Sequence, residues 1–248
     1  MVVVLSYLNG FLSAAPGYVG HDLVLYQHEV KAWLGGTPMY PAFEVQGPFQ
    51  IVEGVILYPP ITIALFLPTL WLPLPLWWLI PIAIVGTIAY RLRPRRRWLL
   101  AIACCLAYPV SVGLVVSGNP DLWLAAALAI AVYWHPAGAF VLLKPSVFPF
   151  AMIGWRRREW WVIAGAFAVA SLFLLPQTID WLSVIRNGRG GLRSGLVYSY
   201  QDVPLLLVPI LAWAGSNRAA SLGPAFGVSP AWLRRRLRWG HRAESPSQ

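Results

Sequence analysis

The sequence is short of charge, and shortest of acids. Charged residues fill 11% of its 248 positions, where soluble domains carry about 25%. Only nine residues are Asp or Glu. A soluble fold of this length cannot cover its surface with so few charges. The chain has two cysteines, Cys104 and Cys105, adjacent inside an apolar stretch. That excludes a disulfide framework and a cysteine-based metal site. No metal-ligand cluster is evident, so no metal or cofactor is expected from the protein's own residues, although a carboxylate beside a phosphate can recruit a divalent ion. The first apolar residues lack a basic n-region, which argues against a signal peptide.

What the sequence does have is hydrophobic surface, 58% of its residues. Lipid permits such a surface, so the expected fold is all-α, a polytopic transmembrane helix bundle. The net charge of +10 is carried largely in clumps. Arg91-Leu92-Arg93-Pro94-Arg95-Arg96-Arg97, Arg156-Arg157-Arg158 and Arg234-Arg235-Arg236-Leu237-Arg238 each abut apolar stretches. The positive-inside rule places all three in the cytoplasm. Anionic membrane lipids are sufficient partners for them. Nucleic acid is excluded, because no folded basic surface is available to carry it.

Residues 1–15 are apolar but shorter than the roughly 20 residues of a spanning helix, and are read as the exit end of a clipped first one. An outer loop, 16–55, follows. Within it Leu23, Tyr26, Val30, Trp33 and Leu34 recur at spacings of three and four, predicting an amphipathic helix on the membrane surface with its aromatic side in the headgroups. Gly35-Gly36 stops it. Hydrophobic stretches follow at about 55–72, 74–90, 98–117, 121–134, 137–154, 160–176 and 204–216. Prolines interrupt several of them, and broken helices at membrane depth belong where they line a cavity or are buried in protein. If both Arg91–Arg97 and Arg156–Arg158 are cytoplasmic, an even number of crossings separates them, yet three stretches do. The stretch 137–154 is therefore expected to be a re-entrant hairpin turning near Lys144-Pro145. Residues 1–216 form one transmembrane domain, 177–203 is a second outer loop, and 217–248 is a disordered basic cytoplasmic tail.

This arrangement puts Asp22, Glu29, Glu44, Glu53, Asp121, Asp180 and Asp202 on the outer side, with only Glu159 and Glu244 inside. Asp22 opens the surface helix, where aspartate is also a good N-cap. Tyr26, four residues on, shares its face and either orients a substrate or anchors the helix at the interface. Lys144 is an ionisable group in an apolar run, a functional position by default, read either as a phosphate contact, or as snorkelling to the interface or half of a structural pair such as one with Asp121. Asn119 either satisfies a helix end or meets sugar hydroxyls. Arg186, Arg189 and Arg193 defy the positive-inside trend in a Gly-rich loop and can clamp a phosphate, with Tyr198 nearby.

His21-Asp22-x-x-x-Tyr26, Gly35-Gly36-Thr37-Pro38-Met39-Tyr40, Leu57-Tyr58-Pro59-Pro60, Ser117-Gly118-Asn119-Pro120 and Lys144-Pro145 before an arginine turn occur here in that order. Together they resemble glycosyltransferase family 87, the GT-C-fold, polyprenyl-phosphomannose-dependent mannosyltransferase type. The resemblance covers about residues 17–160. Members are usually much longer, so a shortened member is expected. The resemblance implies a cell-envelope enzyme that moves a sugar, by analogy mannose, from a polyprenyl-phosphate donor to a glycan or glycolipid acceptor outside the cytoplasmic membrane. It further implies Asp22 as the catalytic base, and Tyr58 with Pro59-Pro60 as part of the substrate cavity wall. A transporter or flippase built on broken helices, and an inactive transferase remnant, are the competing readings.

Overall fold

The structure is a computed structural model and describes residues 1–51, 55–189 and 202–216. Prolines and glycines set most helix boundaries. α1 (Val2–Ser13) is separated by Pro16-Gly17 from α2 (His21–Leu34), which stops at Gly35, with Gly36 at φ 89°. α3 (Ala42–Gln46) and α4 (Pro60–Ala64) start behind Pro41 and Pro59, and α5 (Leu74–Leu92) behind Pro73. Proline suits a first turn because its missing N–H would be unpaired there anyway. α6 (Arg96–Ala107) and α7 (Pro109–Ser117) are one run bent by 59° at Tyr108-Pro109. α8 (Asp121–Ala131) precedes 3₁₀ turns at His135–Leu143 and Pro145–Val147, then α9 (Phe148–Ala151). α10 (Arg158–Phe173) and α11 (Leu175–Asn187) meet at 96°, and α12 is Val203–Ala214. Two short strands, β1 (Phe49–Gln50) and β2 (Gly188–Arg189), pair in parallel. The protein is thus helical, with almost no sheet.

Among the described residues, one helix, α5, is long and apolar enough to cross a membrane, or up to three spans if each bent pair counts as one. The seven hydrophobic stretches therefore do not each give a helix of spanning length among the described residues. The clearest case is α8. It lies at the centre, packed by α5, α12 and the segment His135–Leu143, with Leu122, Leu124, Ala125, Leu128, Ala129 and Ala131 buried. Its 11 residues reach only about 16 Å at 1.5 Å each, against a hydrocarbon core of about 30 Å.

The chain doubles back between His135 and Gly154. A Cβ at Gly138 would collide with the Ile153 carbonyl oxygen, and one at Gly154 with that of His135. The outgoing and returning chains are therefore in backbone contact, and Lys144-Pro145 forms the tip. The hairpin gives the molecule two poles. At one, Leu92, Ile102, Val132, Val208 and Ala212 form a cluster, and the Arg95 N–H donates to the Gly215 carbonyl. This pole carries Arg91–Arg97, and the hairpin's return beside His135 brings Arg156–Arg158 to it. At the other pole Lys144 meets Asp121 and Asp202, and Ser117 meets Asp22. The cluster Arg234–Arg238 and the tail 217–248 lie outside the described residues.

The apolar face of α2 departs from expectation. Leu23, Tyr26 and Val30 are buried against Ile63, Phe66 and Trp77, whereas Leu34 is exposed. A protein core, rather than a headgroup layer, covers this face.

Gly138→Ala should lower stability in detergent by about 2–3 kcal/mol, the cost of forcing atoms into a filled site. Gly165→Ala, in α10 with open space around it, should leave stability unchanged or raise it by about 0.5–1 kcal/mol. Thermal unfolding of the two variants side by side checks this.

Candidate active site

The site is built around the turn Ser117–Asp121. α7 ends at Gly118, whose φ of 76° favours glycine. The Asn119 N–H then donates back to the Leu114 carbonyl at 2.8 Å. Two tryptophans of α5 hold this turn and the helix end before it: Trp77 Nε1 donates to the Gly118 carbonyl at 2.8 Å and Trp78 Nε1 to the Val115 carbonyl of α7 at 2.6 Å. The Asn119 side chain works in two directions. Its Oδ1 accepts the Asp121 N–H at 3.1 Å, satisfying the start of α8, and its Nδ2 donates to Asp22 Oδ2 at 2.7 Å.

Asp22 sits in the first turn of α2, but it is not the cap. Gly20 holds that position at φ 75°, and no side chain caps the helix. The Gly20 N–H donates to the Val116 carbonyl at 2.9 Å, tying the start of α2 to α7. The carboxylate thereby lies in the first turn of α2 and faces the Ser117–Asp121 turn. Asp22 Oδ2 accepts from Ser117 Oγ at 2.9 Å as well as from Asn119. Its other oxygen, Oδ1, accepts no hydrogen bond among the described residues.

Lys144 is committed elsewhere. Its Nζ donates to both oxygens of Asp121, at 2.6 and 2.7 Å, and to Asp202 Oδ2 at 2.8 Å. An ammonium has three protons, and all three are directed at carboxylate oxygens. Asp121 is fully buried, the Lys144 side chain 8% exposed and that of Asp202 17%. The Tyr58 ring centroid lies 5.7 Å from Nζ, within cation–π range. Tyr58 in turn meets Tyr26 edge to face at 5.5 Å, and Tyr26 stacks on Phe66 at 4.5 Å.

Two cavities flank this assembly. A groove of about 500 Å³ is lined by Tyr58, Phe66, Trp77, Ile84, Trp123 and Phe140 among others, and is almost wholly apolar. Along α8 it reaches from Pro120 to Ile130, about 15 Å at helical rise. A second cavity of about 310 Å³ is lined by Tyr18, Asp22, Pro109, Val110, Gly113, Leu114 and Ser117. Tyr58 lies on the groove and Asp22 on the smaller cavity.

The structure therefore gathers Asp22, Tyr26, Tyr58, Asn119 and Lys144. Tyr26 is buried, which removes its reading as an interfacial anchor. Lys144 takes the ion-pair reading, since its protons are used by carboxylates rather than left for a phosphate. Arg186 and Arg189 are not brought in. Arg186 ends α11 rather than lying in a loop, both are exposed, and Arg189 Nη1 donates to the Arg186 carbonyl at 3.1 Å. Arg193 and Tyr198 lie outside the described residues. Glu44 is buried away from the cluster, where the Asn187 side chain bonds its backbone carbonyl. Burial, then the nearby Glu29, pushes its carboxyl up to about 7. Asp202 and Ser117 carried no assigned role in the sequence. The available signal for Asp202 was an acid placed directly before the apolar run Val203–Ala214. Among the described residues no group of His, Cys, Asp and Glu is arranged to hold a metal ion. No protein-family model, curated protein or solved structure matches the chain.

Lys144→Met should destabilise the protein by about 3–5 kcal/mol, because it strands a buried carboxylate. Lys144→Met combined with Asp121→Leu should recover most of that loss. Denaturation of both single variants and the double variant measures the coupling; additive losses would contradict the ion-pair assignment.

Proposed function

We propose that this chain is a membrane-embedded glycosyltransferase of the family 87 type, moving a sugar from a polyprenyl-phosphate donor to an acceptor hydroxyl on the non-cytoplasmic side. Mannose as the sugar rests on the resemblance. The observation that carries the reading is Asp22: a carboxylate on the wall of a cavity, with one oxygen fixed by two donors and the other accepting no hydrogen bond among the described residues. Such a group can take the acceptor proton while its geometry stays fixed. The acceptor oxygen then bonds the anomeric carbon. The bond from that carbon to the phosphate oxygen breaks, and the electron pair leaves with the polyprenyl phosphate.

The apolar groove supports the same reading. Its walls of Phe66, Ile84, Trp123 and Phe140 suit a hydrocarbon chain, and Tyr58 brings its end next to the polar cluster. The membrane setting is supported by the exterior of α5, α10 and α6, where Leu79, Ile82, Leu100, Trp161, Val162, Val169, Leu172 and Phe173 are exposed. The two-pole arrangement supports the sidedness, with arginines in the cytoplasm and carboxylates opposite. Lys144 acts here as a positioning residue. The cation that neutralises the departing phosphate comes from elsewhere, because a phosphate beside Asp22, Asp121 and Asp202 meets three carboxylates and one ammonium.

The test is transfer of radiolabelled mannose from polyprenyl-phosphomannose in membranes holding the full chain. Asp22→Asn should lower the rate by about 10²–10⁴-fold, the usual contribution of a general base. Transfer that survives Asp22→Asn, or a parent chain with none, would contradict the reading.

A further inference from the structure

We propose that the smaller cavity is the acceptor slot of this enzyme and that Gly113, facing Tyr18, sets its width to a single sugar-sized unit. The inference rests on the glycosyltransferase reading and adds what the site admits and which residue decides it.

The slot lies between the Tyr18–Asp22 turn and α7. Its volume of about 310 Å³ is at the small end of the roughly 300–1,000 Å³ usual for ligand pockets, so an oligosaccharide does not enter it whole. Its polar groups, Tyr18, Asp22 and Ser117, come from the two ends of the Tyr18–Asp22 turn and from the end of α7, while Pro109, Val110 and Leu114 form an apolar wall. A hydroxylated ring suits such a lining, with hydroxyls toward Asp22 and C–H faces toward α7. Asp22 Oδ1, which accepts no hydrogen bond among the described residues, is the acceptor for the hydroxyl that reacts. That hydroxyl gives its proton to Asp22, bonds the anomeric carbon of the donor, and polyprenyl phosphate departs.

Gly113 stands in the middle of α7, where glycine weakens a helix relative to alanine. Helix geometry does not require it, since its φ is not positive. What a side chain there would meet is informative: the nearest atom to an added Cβ is the Tyr18 hydroxyl oxygen, at 3.6 Å. A methyl group is therefore accommodated, but each further carbon extends into the cavity. The bend at Tyr108-Pro109 fixes the inner end of the slot, and the bond from the Gly20 N–H to the Val116 carbonyl fixes the outer end. The Gly20–Val116 bond ties the wall to the Tyr18–Asp22 turn beside it, so a larger residue at 113 takes up cavity space.

The experiment uses the full chain in proteoliposomes, with octyl α-mannoside as a defined single-sugar acceptor and polyprenyl-phosphomannose as donor. Gly113→Ala should keep the acceptor KM within about threefold of the parent. Gly113→Leu should raise it more than tenfold while the donor KM stays within twofold. Val110→Trp, filling the slot from another position, should give the same split and covers the case in which Gly113→Leu fails to fold. An unmoved acceptor KM in the folded variants, or donor and acceptor KM rising together, would overturn the slot. So would a parent that transfers to native membrane acceptors but never to octyl α-mannoside. In each of these cases, loss of transfer in Asp22→Asn would leave the glycosyltransferase reading standing. Transfer indifferent to Asp22 would remove both.

Discussion

One buried ammonium organises the polar pole. Lys144 reaches Asp121 at the start of α8 and Asp202 at the start of α12, so a single side chain joins the hairpin tip to two helix starts. Burying an ion costs several kcal/mol, which a well-formed pair recovers only with good geometry. Here all three ammonium protons are used. The adjacent contacts follow the same logic. Thr62 Oγ1 donates to the Leu143 carbonyl at 2.7 Å, fastening the tip to α4, and the Tyr58 ring faces the cation. With the tip fixed, the Ser117–Asp121 turn and the carboxylate it holds are fixed as well.

That turn divides the two cavities. Pro120 lines the apolar groove and Ser117 the smaller cavity, so a few residues of backbone separate a lipid-suited surface from a sugar-suited one. In the proposed reaction the donor's hydrocarbon chain keeps to the groove and the acceptor sugar to the smaller cavity, and the donor's phosphate and sugar span the distance between them. Trp77, on the groove wall, bonds the turn's Gly118 carbonyl, and Trp78 bonds the Val115 carbonyl of α7 just before the turn.

Much of this was legible in the sequence where local chemistry decides. Gly35-Gly36 and the prolines mark helix ends, and Lys144-Pro145 marks the point where the chain doubles back. Lys144 stands out as an ionisable group in an apolar run and Asp22 through the family resemblance, and the structure brings both together with Tyr26 and Asn119. Long-range pairing was not legible. Nothing local joins Lys144 to Asp202, 58 residues on, or makes Gly20 the cap in place of Asp22. Hydrophobic periodicity could not distinguish a face covered by lipid from one covered by protein, which is why α2 was placed in the headgroups. It also could not separate a spanning helix from α8, whose apolar residues are buried by neighbours. Arg186 and Arg189 were singled out by sign alone, and sign does not fix direction.

The central claim is that the carboxylate pole and the arginine pole face opposite sides of one membrane. In a chain carrying Cys104→Ser and Cys105→Ser, a single cysteine at His28, 76% exposed at the carboxylate pole, is compared with one at Arg157, exposed at the arginine pole. A membrane-impermeant maleimide applied to intact cells should label the first at once and the second only after permeabilisation. Labelling of both from the same side would contradict the account.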